Sequence, residues 1–125
     1  MKITTFNPFI DAVNPDETIK LFGELGFERR HTKQGIEIAD REDTVIRMKD
    51  AGGFYMDIVQ SNANASRDTV GIRINVDDFD AACELLRQHG FRNVFGDDTV
   101  ATKSSKAAMM VAPSGFYISV IQHIQ

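Results

Sequence analysis

The chain has 125 residues, 42% of them hydrophobic and 26% charged, the size and composition of one ordinary globular domain. A net charge of −4 with no Lys/Arg cluster argues against a nucleic-acid partner, and no apolar run is long enough to span a bilayer. The single cysteine, Cys83, excludes an internal disulfide, and Met1-Lys2-Ile3-Thr4-Thr5 leads into no secretory segment, so a cytoplasmic location is expected.

Residues 3–13 are apolar-rich and read as a strand. Asn14 is suited to cap a helix, with Pro15 at its first position and Glu17 at the capping-box position. Ile19, Phe22 and Leu25 then recur at helical spacing, and Gly26 stops the helix. Three strands are expected near 27–33, 36–49 and 53–60, the last entered through the Gly52-Gly53 turn. Residues 61–68 are small and polar and read as a linker. A strand over 69–76 follows, then a helix capped by Asp78 that carries Phe79, Ala82, Cys83 and Leu86 on one face and stops at Gly90. Strands near 91–95, 98–102, 106–112 and 116–123 complete the chain, with Pro113-Ser114-Gly115 as a turn.

This plan is one unit written twice. Gly53-Phe54-Tyr55-Met56-Asp57-Ile58-Val59-Gln60 recurs 62 residues later as Gly115-Phe116-Tyr117-Ile118-Ser119-Val120-Ile121-Gln122. Only Asp57 against Ser119 changes chemical type. The helix segment from Asn14 to Phe27 is echoed from Asp78 to Phe91 at an offset of 64. Two echoes in order imply a pseudo-twofold single domain, with module one over 1–61, the linker at about 61–68 and module two over 69–125. Each module is a strand, a helix and a three-stranded meander.

Alternation along a strand divides its side chains between two faces. Phe54, Met56 and Ile58, then Ile72, Ile74 and Val76, then Phe116, Ile118 and Val120 form apolar sets expected beneath the helices. The opposite sets carry Tyr55 and Asp57, Arg73 and Asn75, and Tyr117 and Ser119. A face mixing these types lines a ligand cleft or an interface, the alternative being a solvated face with incidental tyrosines.

Leu21-Phe22-Gly23-Glu24-Leu25-Gly26-Phe27, Val76-Asp77-Asp78-Phe79-Asp80-Ala81-Ala82 and Pro113-Ser114-Gly115-Phe116-Tyr117-Ile118, taken in order, resemble the vicinal oxygen chelate superfamily, the glyoxalase/bleomycin-resistance/dioxygenase group. The resemblance covers the whole chain and implies an α+β fold in which two tandem βαβββ modules form a pseudo-twofold curved mixed sheet around a central cleft. It also implies four metal-ligand positions, here Asn7, Asp57, Gly71 and Ser119. Gly71 has no side chain, Ser119 is a poor ligand and Asn7 a weak one, so only Asp57 could hold a divalent ion well. No His or Glu in 3–13, 54–60 or 70–76 could replace them. No metal, cofactor or catalytic residue is therefore expected.

Among the remaining candidates, His31 sits in a charged stretch, His89 ends the second helix, and His123 could reach one end of the cleft. Asp57 and Arg73 form a candidate pair, for ligand recognition or for closing an obsolete metal site, and Arg47 adds a second cation. Phe9, Tyr55 and Tyr117 supply aromatic walls, and Asn75 a further hydrogen-bonding group. The expected site is thus Asn7, Phe9, Arg47, Tyr55, Asp57, Arg73, Asn75, Tyr117 and Ser119. The function expected is non-catalytic binding of a small molecule, an antibiotic or aromatic ligand, by a homodimer. The alternatives are a metal-dependent lyase, isomerase or dioxygenase using Asp57, Asn7 and His123, and a subunit-interaction protein with a vestigial cleft.

Overall fold

The structure is a computed structural model that describes residues 1–38, 41–60, 66–94, 96, 100–101 and 105–123, with the side chains of 31–38, 41–43, 100 and 101 outside the description. Its elements are β1 (Ile3–Asp11), α1 (Pro15–Glu24), β2 (Phe27–Ile38), β3 (Arg41–Asp50), β4 (Tyr55–Gln60), β5 (Thr69–Val76), α2 (Phe79–Gln88), β6 (Arg92–Asn93), β7 (Val100–Ala101), β8 (Ser105–Val111) and β9 (Tyr117–His123). They fall into two compact units, Asn7–Val70 and Met1–Phe6 with Gly71–Gln125. No helix among the described residues is long and apolar enough to cross a membrane.

In the Asn7–Val70 unit the strand order is β2-β3-β4-β1, with β1 parallel to β4 and the other pairs antiparallel. Ile46, Met48, Met56, Ile58 and Ala12 form the core, and Ile10, Ile19, Phe22 and Phe27 pack against it from the edge and from α1. The second unit runs β5-β9-β8-β6, again with one parallel pair, β5 with β9, and β7 added on β8. There α2 lays Phe79, Ala82 and Cys83 on Ile74, Val76, Ala108, Met110 and Val120. The fold is α+β, and the strand–helix–three-strand plan occurs twice, as the internal repeat implies.

Three local expectations are corrected. The break expected near residue 34 is a register shift between Lys33 and Ile36 inside a continuous β2. Phe54 and Phe116, assigned to the apolar faces, are 69% and 50% exposed. Each precedes the first residue of its strand, β4 or β9, and so escapes the alternation that buries Met56, Ile58 and Val120. Asn14 occupies the N-cap of α1 but makes no side-chain capping bond, whereas Asp78 accepts from the amide of Ala81 at 3.0 Å.

The start of α2 is also held by Gln122, whose Oε1 accepts from the Phe79 amide and whose Nε2 donates to the Asp77 carbonyl, both at 2.8 Å. Asp78→Ala should therefore cost about 1 kcal/mol. Asn14→Ala should cost less than about 0.5 kcal/mol, as at an ordinary surface position. Urea unfolding of the two variants measures that difference.

The octapeptide echo has a conformational cause. Both copies open on a glycine at positive φ, +89° at Gly53 and +107° at Gly115. In one, Gly53 N–H donates to Asp50 O at 3.1 Å and Asp50 N–H to Phe54 O at 3.0 Å. In the other, Gly115 N–H donates to Ala112 O at 2.9 Å and Ala112 N–H to Phe116 O at 2.8 Å. No atom lies within 4 Å of a Cβ built at Gly53, so Gly53→Ala meets only the backbone penalty of the left-handed region. That penalty is about 1–2 kcal/mol, to be read as a lower urea midpoint with an unchanged slope.

Candidate functional site

Three strands of the Asn7–Val70 unit bring its polar face together. Asp57 on β4 lies opposite Phe9 on β1 and Arg47 on β3, and Tyr55 lies opposite Lys49. All these positions alternate with the core residues Ile46, Met48, Met56 and Ile58, so they project to the other side of the sheet.

Asp57 is 1% exposed and Asn7 2%, so both must be satisfied internally. The Asn7 amide donates to Asp57 Oδ2 at 3.1 Å and to the Pro8 carbonyl at 2.9 Å. Arg47 closes the ring: Nη2 donates to Asn7 Oδ1 at 3.2 Å, and Nη1 lies 3.6 Å from Asp57 Oδ1. The guanidinium carbon sits 4.4 Å from the centroid of the Tyr55 ring, and Lys49 Nζ lies 5.1 Å from it. The face is thus a buried carboxylate, a buried amide and a guanidinium locked in one cycle, roofed by a tyrosine that two cations share.

In the other unit, Arg73 is opposite Ser119, Gly71 opposite Tyr117 and Asn75 opposite Ile121. Arg73 Nε donates to Asn75 Oδ1 at 3.1 Å. Asn75 is buried, while Arg73, Tyr117 and Ser119 are half-buried. Met109 lies opposite Ser119 here, at the place in the repeat that Arg47 holds opposite Asp57. Both members of the charged pair therefore change together between the copies, to a thioether and a hydroxyl. A buried carboxylate needs its cation, so the pair is kept or lost as a unit.

The sequence pairs Asp57 with Arg73 and adds Arg47 as a second cation. The structure sets Arg47 against Asp57 and has Arg73 Nε donate to Asn75, and both Asp57 and Arg73 make further interactions. Lys49 was missed. Counting back from the Gly52-Gly53 turn pairs Lys49 with Tyr55 and Arg47 with Asp57, and the 62-residue offset pairs Arg47/Asp57 with Met109/Ser119. Both signals were available. His123 ends β9 and is exposed, His89 is the C-cap of α2, and the His31 side chain lies outside the described residues. Cys83 sits in the α2 core, where burial pushes its thiol pKa up, with Asp80 adding to the shift and Arg87 opposing it.

A divalent ion does not fit these residues. Of the four positions that the family resemblance implies, Asn7 directs its N–H at Asp57, and its carbonyl oxygen is taken by Arg47. The Asp57 charge is already met by a guanidinium, Gly71 has no donor, and Ser119 offers a neutral hydroxyl. Among the described residues no three His, Cys, Asp or Glu side chains come together in a cluster.

No family model and no curated protein matches the chain. Solved structures do. The chain is similar to methylmalonyl-CoA epimerase from Mycobacterium tuberculosis at 16% identity and a TM-score of 0.69, over 98% of this chain and 90% of that one. A Streptomyces coelicolor methylmalonyl-CoA epimerase variant in complex with 2-nitronate-propionyl-CoA matches at 17% identity and a TM-score of 0.64, over 99% and 100%. A hypothetical protein from Bacillus halodurans matches at 9% identity and a TM-score of 0.68, over 100% and 97%. At such identities the likeness speaks for the fold. The chain folds as these proteins do, with the strand–helix–three-strand plan occurring twice.

Proposed function

We propose that the protein binds a small organic molecule without a metal ion and without catalysing its conversion, as a cytoplasmic homodimer. The observation that carries this reading is the Asn7–Arg47–Asp57 cycle, which uses up the one strong metal-ligating side chain among the implied ligand positions. A guanidinium is a permanent cation with planar donors and cannot take a proton from a substrate at neutral pH. The Tyr55 ring beside it, 37% exposed, offers a rigid amphipathic surface to a ligand with a flat group. The similar epimerase structures place a CoA ester on this fold, which supports the fold as a small-molecule scaffold.

Thermal unfolding with a chelator, with Mg, Mn, Co, Ni and Zn, and with an aromatic ligand panel tests the reading. A ligand at a hundredfold its Kd should stabilise the native state by about 2.7 kcal/mol. Metals and chelator are expected to leave the midpoint unchanged while at least one organic ligand raises it. A metal-dependent rise that chelator abolishes would replace this reading with the metal-dependent enzyme.

A further inference from the structure

The charge balance around Tyr55 names a ligand class. Asp57 is sealed from solvent and matched by Arg47, so it has no charge to offer a cationic ligand. Arg47 is different: its side chain is 20% exposed, one of its five N–H groups donates to Asn7, and Nη1 lies 3.6 Å from Asp57 Oδ1. The other donors have no partner among the described residues. Lys49, half-buried on the same face, adds an ammonium with no carboxylate bonded to it among the described residues.

Among the described residues, the neighbouring carboxylates are placed as follows. Glu28, opposite Lys49 on β2, is an exposed carboxylate 3.7 Å from Arg30. Asp11 lies at the register of Val59, beyond Asp57 from Tyr55. Asp50, next to Lys49, points to the other side of the sheet and accepts from the Phe54 amide at 2.8 Å. What remains beside an exposed tyrosine ring is a planar guanidinium edge and one ammonium, held in place from below.

We propose that this edge is the seat for the carboxylate of a planar organic acid. The acid's oxygens meet Arg47 and Lys49, and its flat body lies along Tyr55. Asn7 and Asp57 are positioning residues, which fix the guanidinium plane before the ligand arrives. A carboxylate suits this seat because the guanidinium of Arg47 presents a planar fork of donors that matches two coplanar oxygens. The inference rests on the metal-free binding reading and narrows the expected aromatic ligand to an acid.

Calorimetric titration with benzoate, 4-hydroxybenzoate and cinnamate, against their primary amides and benzamidine, tests it with chelator present. The acids should bind, with the amides weaker by about tenfold or more, as for loss of one charge-assisted contact. Lys49→Gln, a half-exposed change compatible with the fold, should weaken acids severalfold and leave amides unaffected. Arg47→Lys, which keeps the charge but loses the fork, should weaken acids by about tenfold, with folding checked by circular dichroism. The seat is overturned if no acid binds, if amides or benzamidine match the acids, or if both variants bind acids like the parent. Tight amide binding with metals still inert would remove the acid seat and keep the metal-free reading. Acid binding that requires a divalent ion would remove both.

Discussion

Arg47→Met should destabilise the protein by about 3 kcal/mol, the lower end of the range for removing one partner of a buried ion pair. The lower end applies because Arg47 is 20% exposed, although Asp57 is sealed. The loss comes from taking a guanidinium away from the buried Asp57 carboxylate. The protein's own repeat supplies the compensating change. Arg47→Met with Asp57→Ser copies into one unit the Met109–Ser119 pair that the other carries at the same register. The double variant should recover most of the loss, since a neutral pair leaves no buried charge. A double-mutant cycle by urea unfolding measures the coupling. Equal losses in the single and double variants would mean that Arg47 stabilises through stem packing on Tyr55, not through charge.

The second large effect is in the cores. Ile58 and Val120 occupy matched places in the two octapeptides and are both 0% exposed. Ile58→Ala should cost about 2–5 kcal/mol, combining lost burial with the cavity left among Ile46, Met48 and Met56. Val120→Ala removes less volume and should cost less, beside Met110, Ala108 and α2. Phe54→Ala, a larger truncation at a 69% exposed ring, should cost under about 1 kcal/mol. Urea midpoints ranked in that order would confirm that position, not residue size, decides the effect. A Phe54 variant as damaged as the Ile58 variant would show the ring covered in solution.

Most of the fold was legible because its determinants are local. Helical spacing of Ile19 and Phe22 and of Phe79, Ala82 and Cys83 marked the packed faces of α1 and α2. Alternation in β4, β5 and β9 separated core from polar face correctly except at the two entry phenylalanines. β6 is two residues long where 91–95 was expected, because β-propensity says nothing about how many residues find a partner, and most of the strand expected over 98–102 lies outside the described residues. Asn14 failed as a cap for a related reason: a suitable residue type fixes no side-chain geometry.

The repeat, the element plan and the poverty of metal ligands were determined by the sequence alone, since each depends only on residue type and short-range spacing. That Arg47 stands against Asp57 was decided by tertiary structure. On a sheet, neighbours across strands follow from register, and a one-residue slip would turn Arg47 away from Asp57 and into the core. The Gly53 turn joins β3 to β4 in the register that sets Arg47 against Asp57 and Lys49 against Tyr55.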